Sequence, residues 1–340
     1  MRYDLSILDL LPVTAGTTGA QAVQRSLDLA RLAEELGFVR YWVAEHHGMP
    51  AVASAAPAVL LARIGALTQR IRIGSGGIML PNHAPLRVAE AFRTLEALYP
   101  GRVDLGLGRA PGSDARASRA LGAVSGERFG AMLTEMVGLA DGTLQENHPH
   151  AGVVVMPDGV ELPPIWILGS SGASAAAAGD AGMGYAFASH FSPAPAEPAL
   201  RRYREAFRPS SRFPRPHAIL GVSVVCAPTD EEAQRLAASG DLFALRLARG
   251  DLQPLPTPEE ALAYEYSEGE RALVAENRAR HIIGTAGHVA ARLETLAAET
   301  GADELMVVSN VTDHDARLRG YRLLVEALRE GPAGSAGSTP

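Results

Sequence analysis

The sequence predicts an α/β fold: a (β/α)8 TIM barrel with insertions before its fifth strand and after its seventh. Three observations carry this. Short apolar runs alternate with longer runs of helical periodicity from one end to the other. The strand-plus-helix units number eight and use the chain up to residue 330. No Gly-x-Gly-x-x-Gly follows the first strand, which counts against the rival, a doubly wound open sheet.

The first strand is placed at residues 5–10. The helix after it, 20–36, carries Val23, Leu27, Ala30, Leu32 and Leu36 at helical spacing and stops at Gly37. Strands at 41–44, 72–78 and 103–107 precede helices at 56–68, 84–98 and 126–140. Strands at 164–168, 184–188, 219–226 and 304–308 complete the eight. Their helices fall at 173–181, 194–207, 230–248 and 313–328, with a further helix at 286–300. Each strand is short and apolar, as parallel strands buried on both faces are. Two stretches interrupt the alternation. Residues 141–163 form an excursion in which Asp158-Gly159 between apolar runs signals a hairpin. Residues 250–270, rich in proline and carrying Tyr264-Glu-Tyr266, exceed an ordinary loop and read as a lid or binding segment. The expected organisation is one domain, 1–330, and a disordered Gly/Ala/Ser/Pro tail, 331–340.

Composition removes several chemistries. All 31 basic residues are arginine; there is no lysine. A P-loop and any lysine Schiff base, pyridoxal phosphate included, are therefore excluded. The net charge of −7 gives no footprint for nucleic acid or an anionic membrane. Cys226 is the sole cysteine, so intrachain disulfides and multi-cysteine zinc sites are excluded, and its apolar run reads as a buried thiol. The N-terminus is a strand pattern without a signal-peptide core, and no apolar run reaches the ~18 residues of a membrane span. The expected location is cytoplasmic.

In a barrel, chemistry sits at the C-terminal ends of the strands. Those ends carry Asp9; Glu45-His46-His47; Gly74-Ser-Gly-Gly77 with Asn82 and His83; Arg109; Gly169-Ser170-Ser171-Gly172; His190; and Asn310. The Ser170-Ser171-Gly172-Ala173 turn leaves a strand and opens a helix. It reads as a phosphate site on free N–H groups and the helix dipole, or as a plain serine cap. Without lysine the cation for a phosphate must be arginine, and Arg109 is the candidate. Adjacent His46 and His47 on an extended segment point opposite ways, so at most one faces the mouth. A neutral histidine serving as hydrogen-bond donor or general acid/base fits better than a metal ligand. Gly76-Gly77 inside a strand marks the close approach of a flat ligand, or a bulge.

Together these segments resemble the bacterial-luciferase-like flavin-dependent monooxygenases. The stretches are Asp4–Asp9, Arg40–His47, Gly74–Pro85 with Arg87 and Glu90, Pro100–Arg109, Leu168–Gly172, Ala186–Phe191 and the helix from Arg317. The resemblance implies a barrel binding reduced FMN supplied by a separate flavin reductase, with oxygen adding to the flavin as a 4a-hydroperoxide that oxygenates a small organic substrate. It implies that His46 is the catalytic histidine. It places Gly76 and Gly77 at a non-prolyl cis peptide under the flavin ring, with Asn82 among the cofactor-binding residues. It places Arg109 and Ser170, Ser171, Gly172 and Ala173 around the phosphate, and it implies no metal. It further implies a homodimer paired through the helices at 56–68 and 84–98. Light-emitting members carry a reactive cysteine where this chain has Gly108, so light emission is not carried over. A deazaflavin-dependent oxidoreductase on the same fold and a non-catalytic FMN-binding protein are the alternatives.

Overall fold

The structure is a computed structural model that describes residues 3–330; the tail expected at 331–340 lies outside the described residues. Eight parallel strands close into a barrel in the order β1 (Asp4–Asp9), β2 (Arg40–Val43), β3 (Arg72–Ser75), β5 (Val103–Gly108), β6 (Ile165–Gly169), β7 (Gly184–Phe187), β8 (Ala218–Ala227) and β10 (Glu304–Val308), which returns to β1. The short β4 (Ile78–Met79) pairs with β5 beyond β3. Helices α1 (Gly19–Leu36), α2 (Pro57–Leu67), α3 (Pro85–Leu98), α5 (Phe129–Asp141), α6 (Gly172–Asp180), α7 (Ala196–Ala206), α8 (Asp230–Ala248), α11 (Ala286–Thr300) and α12 (His314–Glu330) follow strands as expected. Local chemistry sets their ends. Thr18 and Gln21 form a capping box at the start of α1, and Gly37, at φ 84°, closes it in the left-handed conformation that a side chain disfavours. No helix of the described residues is long and apolar enough to cross a membrane.

The barrel interior is layered. At its floor the buried Arg40 guanidinium donates to Glu304 Oε1 at 2.7 Å and to Asp104 Oδ2 at 2.8 Å, and lies 4.7 Å from the centre of the Trp166 ring. Arg72 and the Trp42 indole N–H also donate to Asp104. Above this layer Leu8, Trp42, Trp166, Ile219 and Met306 pack together. A floor of matched charges under an apolar plug leaves the C-terminal mouth as the accessible end.

Two expectations change, and further elements appear that the sequence did not announce. The predicted strand at 72–78 is broken at Gly76–Gly77, because the chain turns there before rejoining the sheet as β4. No hairpin forms around Asp158-Gly159. Residues 153–159 run without strand pairing, Met156–Pro157 is cis, and Gly159 takes φ 70° as a turn residue. The segment 250–270, expected as a lid or binding segment, carries helical structure. It contains α9 (Pro258–Ala263) and the start of α10 (Glu268–Arg278), and Leu255 exchanges backbone hydrogen bonds with Val13 and Ala15 at 2.9 and 2.8 Å. A ninth strand along the sheet path, β9 (His281–Thr285), pairs with the distal half of β8 outside the barrel ring. Its run of Ile282 and Ile283 between polar residues is too short to register as an element. The small α4 (Ala115–Leu121), with no buried residue, likewise has no apolar stripe to announce it.

Candidate active site

The extension of β2 builds the first wall of the mouth. Glu45 and His47, two residues apart on an extended segment, share a face and are joined by a 2.9 Å hydrogen bond between Glu45 Oε1 and His47 Nε2. His46 between them takes the opposite face, the one on which Ala44 packs among the barrel-interior residues. One histidine of the pair faces the mouth, as alternation requires. His46 Nδ1 is buried without a hydrogen-bond partner. Burial lowers the His46 pKa; Glu45 opposes the shift and His47 adds to it, so the ring is neutral at pH 7.

Glu45 is a residue whose role the sequence reading missed. Its fully buried carboxylate accepts from His47 Nε2, from His83 Nε2 at 2.9 Å, from Asn82 Nδ2 at 3.1 Å and from the Met79 backbone N–H at 3.1 Å. Burial alone would raise its pKa, but the hydrogen bonds from His83, His47 and Asn82 outweigh it, and the pKa lies below the usual carboxylate range. The only signal in the sequence is an acid beside two histidines, which does not show where the acid points. Asn82 is consequently occupied: its amide donates to Glu45 and to the Pro111 carbonyl at 2.9 Å, while its buried Oδ1 has no partner.

The Gly76–Gly77 peptide is cis. Ser75 Oγ locks the neighbouring backbone, donating to the Gly106 carbonyl at 2.8 Å and accepting from the Gly106 N–H at 3.0 Å. This segment lies next to the His46 wall, because the Gly76 N–H donates to the Val43 carbonyl at 2.8 Å.

The second wall comes from β5 and β6. Ser171 occupies the N-cap position of α6, yet its side chain makes no capping hydrogen bond; its hydroxyl has only Ser174 Oγ, at 3.4 Å. The plain-cap reading of this turn is therefore not what the geometry shows, and the first-turn amides are left for an anion. The β5–β6 register runs as far as Leu107 with Ile167, so β5 and β6 end side by side; Arg109 follows β5, and its Cγ packs over Gly126, where a built Cβ would meet it at 3.3 Å. Arg109 is exposed and makes no ion pair among the described residues. A cavity of about 570 Å³ opens at this turn, lined by Ser171, Gly172 and Ala173 and by Arg202 of α7, a second guanidinium that the sequence reading did not single out. Asp9, one of the strand-end polar residues, is turned behind the barrel wall, where it accepts from Tyr41 Oη, Arg317 and the Leu11 N–H.

His46, Gly76 and Gly77 thus neighbour one another at one side of the mouth, Asn82 is tied to Glu45 on the face opposite to His46, and Arg109 and the Ser170-Ser171-Gly172-Ala173 turn follow the adjacent strands β5 and β6. The profile of a family described as luciferase-like monooxygenase matches residues 3–304. The chain belongs to the luciferase-like monooxygenases. A luciferase-like monooxygenase of Escherichia coli strain K12 is 42% identical over 328 residues, covering 96% of this chain and 97% of that one. The structure of apo-MsnO8 is 40% identical with a TM-score of 0.88, covering 97% and 99% of the two chains. The oxygenating constituent of 3,6-diketocamphane monooxygenase from Pseudomonas putida, solved in complex with FMN, shares the fold at 19% identity and a TM-score of 0.68, covering 96% and 97%. This luciferase-like monooxygenase therefore has the family's barrel.

The residues present fit a flavin mononucleotide. An uncapped helix start with an unpaired arginine suits a phosphate. A glycine pair leaves room for a flat ring, and unpartnered His46 Nδ1 and Asn82 Oδ1 suit the polar edge of such a ring.

Proposed function

We propose that this protein is a flavin-dependent monooxygenase that uses reduced FMN, supplied by a separate flavin reductase, and molecular oxygen to oxygenate a small organic substrate. The observation that carries the reading is the presence, at the same end of the barrel, of an α6 start without a side-chain cap and a buried, unpartnered His46. Ser170, Ser171, Gly172, Ala173 and Arg109 would hold the phosphate; Gly76 and Gly77 would carry the ring; Asn82 Oδ1 would accept from it. Bound there, the reduced flavin supplies the electrons that activate oxygen.

The protein's share is placement and protection. His46 stays uncharged because its surroundings disfavour the imidazolium, so it can donate or accept one proton at the reacting edge without an ion pair to break. The apolar layer of Leu8, Trp42 and Met306 beneath it keeps water from entering through the floor. Stopped-flow mixing of the protein with reduced FMN and oxygenated buffer tests the reading. Flavin reoxidation should differ from that of free FMN, and His46→Ala should shift the protein-bound rate by about tenfold or more. Identical traces for the variant and the wild type would remove His46 from the reaction.

A further inference from the structure

His190, at the end of β7, has no part in the site described so far. Around the closed ring β2 and β7 stand four strands apart in either direction, so His46 and His190 rise from opposite sides of one mouth. The His190 imidazole lies inside the barrel rather than on its rim. On β8, Ile219 packs in the interior and Leu220 behind the wall, so Gly221 is an interior position. A Cβ built on Gly221 would come within 2.8 Å of His190 Nδ1; the ring has its place because residue 221 has no side chain. The His190 backbone N–H donates to the Gly221 carbonyl at 3.0 Å, which fixes the turn. Its Nδ1, like that of His46, is buried and unpartnered.

The same turn is tied to the anion site, since Ser192 Oγ donates to the Ser170 carbonyl at 3.4 Å. A ligand anchored at the α6 turn and reaching toward His46 therefore spans the neighbourhood of His190. Burial, with smaller contributions from His281 and His46, lowers the His190 pKa to about 4, while the Gly221 backbone opposes the shift. An imidazole kept neutral by these surroundings carries one donor and one acceptor nitrogen, and a single hydrogen bond to an uncharged oxygen would satisfy Nδ1. FMN carries such oxygens, its ribityl hydroxyls, between phosphate and ring.

Resting on the FMN reading above, we propose that His190 is a second cofactor-contacting histidine, whose imidazole makes a hydrogen bond to an uncharged oxygen of FMN, a ribityl hydroxyl. The test is a fluorescence titration of the full chain with oxidised FMN. His190→Phe keeps a ring without the nitrogens and should weaken FMN binding about tenfold, the usual scale for leaving a buried partner unsatisfied. His190→Asn, with an amide in place of Nδ1, should recover most of that loss. Thermal melting of each apo variant shows that it is folded. Wild-type protein that binds FMN while His190→Phe binds it equally well overturns the inference alone. Wild-type protein that does not bind FMN overturns the reading on which it rests.

Discussion

Glu45 Oε1 lies 2.9 Å from His47 Nε2, a contact on the face of the β2 extension opposite to the one His46 takes. Residues two apart on an extended chain share a face, so with His47 and Glu45 together behind the wall His46 takes the side of the axis. The same carboxylate also holds His83, Asn82 and the Met79 N–H, so it joins the β2 extension to the segment that follows Gly76–Gly77.

Glu45→Gln should therefore be costly. The amide presents a donor to groups that are themselves donors, and at least one buried N–H loses its acceptor. A loss of about 2–4 kcal/mol is expected, read as a lower urea midpoint at unchanged m-value. A change below about 0.5 kcal/mol would mean that the four contacts do not act as a unit.

Acid should weaken the fold in two stages. His190 titrates near 6.5 when unfolded and about 4 when folded, so the unfolded chain binds the proton first and stability declines as pH falls from 6.5 toward 4. Asp9, Asp104 and Glu304 follow. Burial raises each pKa, but Arg317 beside Asp9, Arg40 and Arg72 beside Asp104, and Arg40 beside Glu304 lower it further. Their contribution is complete above the ordinary carboxylate value near 4 and is lost as pH falls through their depressed folded values. Urea midpoints should drop between pH 7.5 and 4.5, with a smaller drop in His190→Phe. A midpoint constant over that range would contradict the burial of the histidines.

Gly221→Ala offers an independent probe of the mouth. The added methyl would meet His190 Nδ1 at 2.8 Å and displace the ring, while β8 keeps its backbone pairing. FMN affinity should fall by about as much as in His190→Phe, with the double variant no worse than either alone. Additive losses would show that the two residues act separately.

The homodimer expected from the resemblance would pair through α2 and α3. Val59 on α2 is 72% exposed and Leu98 at the end of α3 is 56% exposed, large apolar side chains on the two helices expected to pair. Sedimentation should show a dimer that Val59→Asp shifts toward monomer. Wild-type protein that sediments as a monomer at all concentrations would remove the pairing.

Much of this was legible in the chain because barrel strands buried on both faces are predominantly apolar, and because a glycine such as Gly37, placed just after the last apolar position of a helical stripe, marks the helix end. The ends of those strands then locate the mouth. Side-chain direction was less legible. Asp9 and His46 both stand at strand ends; alternation sends Asp9 behind the wall to Arg317 and His46 into the mouth, and only the register separates them. Glu45 with Asn82, Asn82 with Pro111, and Arg202 with the α6 turn meet across 29 or more residues, which no local pattern encodes. The α9–α10–β9 insertion escaped because its elements are short and lean on α8 rather than on a stripe of their own.

The central claim is that the α6 turn and Arg109 hold the phosphate of FMN at this mouth. A titration of wild type and Arg109→Ala with FMN, with riboflavin and the deazaflavin coenzyme as competitors, tests it most directly. The account predicts one FMN bound per chain, weaker binding of riboflavin and of the deazaflavin, and an Arg109→Ala variant that loses about tenfold in FMN affinity but little toward riboflavin, which lacks the phosphate. Equal affinity of wild type and Arg109→Ala for FMN, or a preference for the deazaflavin, would contradict it.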